Sequence, residues 1–117
     1  MTLELRGLVV LGDEQETDRV WVVGDQLTLE RPAQVDEVLE GVVLPGLVDV
    51  HCHIGLAADG PVDRATARAQ AIADRDSGVL LVRDAGSPSD TSWVHEDPEL
   101  PRLVRAGHHL ARPKRYL

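Results

Sequence analysis

The fold is decided by the stretch Leu44–His53, which reads Leu-Pro-Gly-Leu-Val-Asp-Val-His-Cys-His. Pro45-Gly46 marks a turn, and the mostly apolar residues after it are typical of a strand that is buried on both faces. Residues two apart in a strand point to the same side, so the imidazoles of His51 and His53 should share a face with Asp49. We therefore expect a short buried strand that ends in two imidazoles.

The residues before this strand have the composition of a β structure. Apolar residues alternate over Leu3–Val10, and β-prone residues flank the turn pair Gly24-Asp25, which predicts a strand followed by a hairpin. Strand composition resumes over Val38–Leu44. We expect residues 1–44 to form an all-β domain and place the domain boundary at Pro45-Gly46, so that the second domain covers residues 45–117.

The residues after the strand predict a βαβ unit. The positions Val62, Ala65, Ala69, Ile72 and Ala73 line one helical face, and Gly78 suits the helix end. Val79–Val82 is a second apolar run, which we expect to pair in parallel with the first strand.

The remaining residues predict a loop and a short second helix. Ser87–Pro98 is rich in Ser, Pro, Asp and Thr, and apolar residues at helical spacing follow in Glu99–Ala106. No third strand is evident in the tail, so we expect the second strand to leave an unpaired edge.

Composition excludes several classes of protein. The chain has 12 basic and 20 acidic residues, a net charge of −8, which argues against nucleic acid as a partner. No run approaches the roughly 18 apolar residues of a membrane helix, and Glu4 and Arg6 interrupt the region where a signal core would lie. We expect a cytoplasmic protein that binds no membrane. Its 117 residues are too few for a closed (β/α)₈ barrel, which needs about 250.

Several side chains are candidates for chemistry. Two imidazoles one strand step apart can share a metal ion, although satisfied or exposed histidines are the alternative. Arg83 and Asp84 follow the second strand, where barrel loops contact substrate, although an aspartate there also caps turns. Cys52 alternates away from the histidines and is expected to pack as a small thiol. The other histidines are expected at the surface: His95, His108 and His109.

The segment Pro45–His53 resembles the Pro-Gly-x-x-Asp-x-His-x-His signature of the amidohydrolase superfamily. Gly78–Gly86 resembles the second barrel strand of that family, and Arg112–Tyr116 is similar to a stretch of the enzymes related to imidazolonepropionase and prolidase. The resemblance implies an α/β plus β fold, in which N-terminal β-sandwich strands precede the first βαβα portion of an incomplete TIM (β/α)₈ barrel.

The resemblance also implies a metal site. His51 and His53 would ligate a divalent metal, zinc first, with manganese or iron as alternatives, and Asp49 would support them as a hydrogen-bond acceptor that does not itself bind the metal. The metal and its bound water would hydrolyse an amide or related C–N bond of a small-molecule substrate. Arg83 and Asp84 would contact that substrate. The family's bridging lysine comes from a later strand, so Lys114 is interpreted as a solvated residue.

Three functional hypotheses follow. The first is the N-terminal part of a metal-dependent hydrolase that acts on C–N bonds other than ordinary peptide bonds and is inactive as this chain alone. The second is a non-catalytic β/βαβ module that binds a partner chain, or a second copy of itself, through the open barrel edge. The third is one half of a split enzyme whose other chain supplies the missing strands and ligands.

Overall fold

A computed structural model describes residues 1–108 of the chain. The chain divides into two compact units, the first comprising Met1–Pro45 and the second beginning at Gly46. The first unit contains a four-stranded sheet, and the second contains a three-stranded and a two-stranded sheet. Among the described residues, none of the helices has both the length and the apolar character that a membrane span requires.

The first unit is a four-stranded sheet. Its strands are β1 (Thr2–Gly12), β2 (Gln15–Val23), β3 (Gln26–Thr28) and β4 (Glu37–Val43), in the order β3-β2-β1-β4. β1 and β2 are antiparallel, β2 and β3 form the hairpin predicted around Gly24-Asp25, and β4 pairs in parallel with β1. The predicted strands and hairpin are confirmed.

Burial in the first unit is concentrated on β1 and β2. Val9, Val20 and Trp21 are buried there together with the carboxylate of Glu4. The indole Nε1 of Trp21 donates to Glu4 Oε2 at 3.2 Å, and Arg19 Nη1 lies 3.9 Å from Glu4 Oε1. The buried charge therefore has both a hydrogen-bond donor and a cation nearby.

The second unit contains the predicted parallel βαβ unit. β5 (Leu47–Cys52) is followed by the two-residue strands β6 (Leu56–Ala57) and β7 (Gly60–Pro61), helix α1 (Arg64–Asp76) and strand β8 (Val79–Asp84). β5 and β8 pair in parallel. Asp63 caps the helix by accepting from the Thr66 backbone N–H at 2.7 Å, and Gly78, with φ of +93°, follows its C-terminus as expected.

The predicted second helix over Glu99–Ala106 is wrong. A 3-10 helix, Ser92–Glu96, lies inside the predicted loop, and strand β9 (Arg102–Arg105) follows it. Pro101 disfavours the helical conformation at Leu100, and Leu103 is 5% exposed whereas Val104 is 54% exposed, which is the alternation of a strand.

The expectation of an unpaired edge on the second strand is therefore also wrong. β9 pairs in parallel with β8, and the sheet order is β5-β8-β9. Within residues 1–108, β8 is the central strand and the outer edges of this sheet belong to β5 and β9.

The core of the second unit lies around β8 and not around β5. Its buried residues are Ile54, Ala67, Ala71, Val82, Val94, Leu100 and Leu103. The prediction that β5 is buried on both faces is wrong for the described residues, because Val48 is 52% exposed and Val50 is 65% exposed. β5 lies at the edge of its sheet. The predicted apolar face of the helix is also wrong, because Ala65, Ala69 and Ala73 are exposed, and α1 instead contributes Ala67 and Ala71 to the cluster that contains Val82 of β8.

Candidate functional site

The two histidines of the motif lie next to each other at the end of β5. The ring centroids of His51 and His53 are 5.2 Å apart, and the ring planes meet edge to face at 81°. His51 is exposed and His53 is half-buried. Two imidazoles at this separation can contribute to one metal centre, because imidazole nitrogen suits zinc and other first-row metals.

The orientation of His53 is set from the loop after β8. Its Nδ1 lies 2.6 Å from the carbonyl oxygen of Gly86. A carbonyl oxygen only accepts hydrogen bonds, so in the neutral ring Nδ1 carries the proton and Nε2 carries the lone pair. Metal-ligating histidines commonly donate one ring N–H to a protein acceptor in this way and bind the metal through the other nitrogen.

Asp49 supports the backbone between the two histidines. Its Oδ1 accepts from the backbone N–H of His51 at 3.0 Å. The register between β5 and β8 shifts by one residue between Asp49 and Cys52, which marks a bulge in β5. The Asp49 carboxylate thus binds a backbone amide within the bulge, and bulges re-aim the side chains that they carry.

Arg83 and Asp84 have different surroundings. Arg83 is exposed, whereas Asp84 is 1% exposed. Asp84 Oδ1 accepts from the Gly86 backbone N–H at 2.8 Å, and Thr91 Oγ1 donates to Asp84 Oδ2 at 3.5 Å. These contacts match the turn-capping alternative for Asp84.

The loop after β8 is held by a second network. Arg105 Nε donates to Thr91 Oγ1 at 3.2 Å, and Arg105 Nη2 donates to Asp90 Oδ1 at 3.0 Å. Arg105 lies on β9, so the third strand helps to order the loop that contacts His53. The sequence alone did not point to Gly86, Thr91 or Arg105. The Asp84-x-Gly86 spacing was the available signal, because an aspartate commonly accepts from the amide two residues on.

Cys52 packs as a half-buried thiol. It lies against the core of the second unit, and its Sγ is 3.7 Å from Asp74 Oδ2. Burial, followed by the negative charges of Asp74 and Asp49, raises the pKa of the Cys52 thiol to about 12. The thiol therefore stays protonated at neutral pH and is a poor nucleophile.

The other candidate residues do not join this site. His95 and His108 are exposed. His109, Lys114 and the segment Arg112–Tyr116 lie outside the described residues. Within residues 1–108, no group of three or more His, Cys, Asp or Glu side chains is arranged to hold a metal ion. The described part of the chain thus brings together two imidazoles and not a complete ligand set.

A cleft of about 240 Å³ lies elsewhere in the second unit. The guanidinium of Arg64 stacks over the Trp93 ring there, with Cζ 4.8 Å from the ring centroid. The cleft is lined by Gly55, Val62, Arg64, Ala67, Ser89, Asp90, Thr91 and Trp93. Neither histidine of the motif lines it, so it does not extend the candidate metal site.

Comparison of the sequence with known proteins identifies relatives without an assigned function. No protein-family model matches the chain. Uncharacterized proteins of Mycobacterium bovis and of two Mycobacterium tuberculosis strains are each 47% identical to it over 116 residues. The match covers 98% of this chain and 31% of each relative, so the chain spans about a third of their length.

Comparison of the structure identifies enzymes. A crystal structure of an Xaa-Pro dipeptidase with bound methionine in its active site matches with a TM-score of 0.64 and 22% identity, over 95% of this chain and 34% of the dipeptidase. A crystal structure of an amidohydrolase matches with a TM-score of 0.66 and 18% identity, over 92% of this chain and 32% of the amidohydrolase. These likenesses establish the fold. The chain has the fold of about one third of each enzyme.

Proposed function

We propose that this chain is part of a metal-dependent hydrolase of the amidohydrolase superfamily, in which His51 and His53 supply two ligands to a divalent metal. The observation that carries the proposal is the pair of imidazoles 5.2 Å apart, with Nδ1 of His53 fixed on the Gly86 carbonyl. The motif resemblance and the shared fold of an amidohydrolase and a dipeptidase support the same reaction class. The substrate class is a small molecule with an amide or related C–N bond other than an ordinary peptide bond.

The residues present fit a metal. Nε2 of His53 keeps its lone pair because Nδ1 donates to a carbonyl, and the neighbouring His51 ring is exposed. Zinc suits this donor type best, and manganese and iron are alternatives. When bound, such a metal supplies an acidified water and polarises the scissile carbonyl oxygen.

The chain's own residues have distinct tasks in this proposal. His51 and His53 bind the metal. Asp49 holds the backbone of the bulge that carries His51. Arg83 is the penultimate residue of β8 and is exposed. Its cationic side chain suits contact with the polar oxygens of a substrate.

The fold suggests how the rest of the site is supplied. The parallel β5-β8-β9 sheet with α1 would be the start of a (β/α)₈ barrel, and the first unit would be one part of a β-sandwich. The remaining strands and ligands would come from a longer protein, in keeping with the 31% coverage of the relatives. The chain alone would then lack activity, and the complete protein would act in the cytoplasm without nucleic acid or membrane partners.

The outer edge of β9 favours a second candidate, the split enzyme. β9 is the last strand in the sheet order of the described residues, so its outer edge can accept a further strand from a partner chain or a second copy. Co-purification of a His- and Lys-containing partner would support this arrangement. A non-catalytic module that docks through the same edge would bind its partner without any dependence on metal.

Zinc titration of the 117-residue chain tests the metal role. Bound zinc is measured by equilibrium dialysis and thermal unfolding is followed in parallel, with His51→Ala plus His53→Ala as the test variant. The exposed pair His95→Ala plus His108→Ala is the matched control, since it removes the same number of imidazoles.

The unaltered chain and the control should bind zinc and unfold at a higher temperature, because a ligand at 100 times its Kd stabilises by about 2.7 kcal/mol. The test variant should lose both effects. Equal zinc uptake by the test variant, or no uptake by the unaltered chain, would contradict the proposal.

A further inference from the structure

We propose that Asp84 is a positioning residue for the metal site, which fixes the tautomer and orientation of His53 through the backbone of Gly86. The metal role of His53 rests on the proposed function, whereas the orientation of its ring is a property of the metal-free chain. The proposal gives this buried carboxylate a task other than contact with substrate.

The first link is the turn that Asp84 builds. Asp84 is 1% exposed, and its Oδ1 accepts from the Gly86 backbone N–H at 2.8 Å. Gly86 has a φ of +124°, a conformation that side chains rarely adopt, so a glycine is required at the turn. The carboxylate therefore fixes the peptide plane that precedes Gly86. The following plane, which carries the Gly86 carbonyl, is held by the Ser87 N–H, which donates to the Gly107 carbonyl at 3.0 Å, so the two bonds together set the direction of that carbonyl.

The second link joins the turn to the histidine. Nδ1 of His53 lies 2.6 Å from the Gly86 carbonyl oxygen, although the two residues are 33 positions apart in the sequence. Because the carbonyl accepts, it selects the neutral tautomer with the proton on Nδ1. Outer hydrogen-bond partners of this kind hold metal-ligating histidines in place, and their loss typically costs about 10- to 100-fold in metal affinity or activity.

The third link is the rigidity of the Asp84 carboxylate itself. Oδ2 accepts from Thr91 Oγ1 at 3.5 Å, and Arg105 holds Thr91 from β9. The backbone of Asp84 is fixed as well, because its carbonyl accepts from the Ala106 N–H at 2.9 Å. Asp84 is thus held at its backbone by Ala106 and at its carboxylate by Thr91. A carboxylate held in this way can keep the Gly86 backbone in one conformation.

The test reads the tautomer of His53 directly. Two-bond proton–nitrogen correlation spectra of the 117-residue chain are recorded without metal at about pH 8, above the ordinary histidine pKa of about 6.5. His53→Ala assigns the signal. Wild type should show the Nδ1–H tautomer, Asp84→Ala should show a mixture of both tautomers, and Asp84→Asn should restore the wild-type pattern because its amide oxygen can still accept from Gly86.

Val94→Ala is the control for general destabilisation, because Val94 is buried in the same core and has no part in these hydrogen bonds. It should leave the tautomer unchanged. Zinc affinity should fall about 10- to 100-fold in Asp84→Ala and should be largely retained in Asp84→Asn.

An unchanged tautomer in folded Asp84→Ala would overturn the proposal. If that variant does not fold, two measurements on wild type decide the matter. The Gly86 amide must be protected from hydrogen exchange and His53 must be the Nδ1–H tautomer, and failure of either overturns the proposal. The predicted tautomer response without zinc uptake by wild type would support positioning by Asp84 and refute the metal function.

Discussion

Replacement of Ile54 by alanine should destabilise the second unit far more than a matched replacement at its surface. Ile54 directly follows His53, is 1% exposed and packs in the cluster with Ala67 and Val82. The change removes three buried carbons, worth about 2.4 kcal/mol at about 0.8 kcal/mol each. The cavity left behind raises the expected loss in the free energy of unfolding to about 3 to 4 kcal/mol.

Leu80→Ala is the matched control, because it also removes three carbons from the second unit. The Leu80 side chain is 53% exposed, so only about half of the transfer free energy is at stake and no closed cavity forms. We expect a loss of about 1 kcal/mol. Ile54→Val, which removes one buried carbon, should also cost about 1 kcal/mol.

The tryptophans provide an assay for each unit. The chain has two, Trp21 in the first unit and Trp93 in the second. In a Trp21→Phe background, the fluorescence of Trp93 reports urea unfolding of the second unit alone. The midpoint should fall most in Ile54→Ala, with an unchanged dependence on urea concentration.

Equal losses in Ile54→Ala and Leu80→Ala would refute this reasoning, because they would show that the cluster beneath His53 is not a packed core.

Two further predictions concern the helix cap and the buried carboxylate. The backbone N–H of Thr66 lowers the pKa of Asp63, so this cap stabilises the fold above the unfolded-state pKa of about 4 and is lost as the pH falls through the lower folded-state value. The urea midpoint of wild type should therefore exceed that of the non-titrating Asp63→Asn by an amount that vanishes in acid, and a pH-independent difference would contradict the cap. Trp21→Phe removes the indole donor from Glu4 and should cost the first unit about 1 to 3 kcal/mol. Hydrogen exchange of the β1 amides measures this loss, and Trp93→Phe should leave those amides unchanged.

The parallel βαβ unit could be predicted because each of its elements has a local signal. Helical spacing and Gly78 marked the presence of α1 and its end, although not the face that it buries, and two apolar runs marked β5 and β8. The closeness of the two histidines was also expected from their spacing, and their ring centroids lie 5.2 Å apart. The bulge between Asp49 and Cys52 could not be predicted from local sequence patterns, because it depends on how β5 pairs with β8.

The third strand was missed because its local signals are ambiguous. β9 has four residues, and the spacing of Leu100, Leu103 and Val104 fits a helix as well as a strand. Pairing with β8 decides between them, since Leu103 lies opposite Val82 and both are buried. Tertiary pairing therefore overrides a weak helical pattern here.

The contact between His53 and Gly86 follows from the register of β5 and β8. Cys52 is paired with Asp84, so the two strands end level with each other and their following residues meet. The Ala85 N–H donates to the Cys52 carbonyl at 2.9 Å, one step before the His53–Gly86 bond. A slip of one residue would turn His53 to the other face of the sheet and separate it from Gly86. Strand pairing within the second unit therefore brings His53 next to Gly86, and in the proposal above the Asp84 turn then fixes the orientation of the ring through the Gly86 carbonyl.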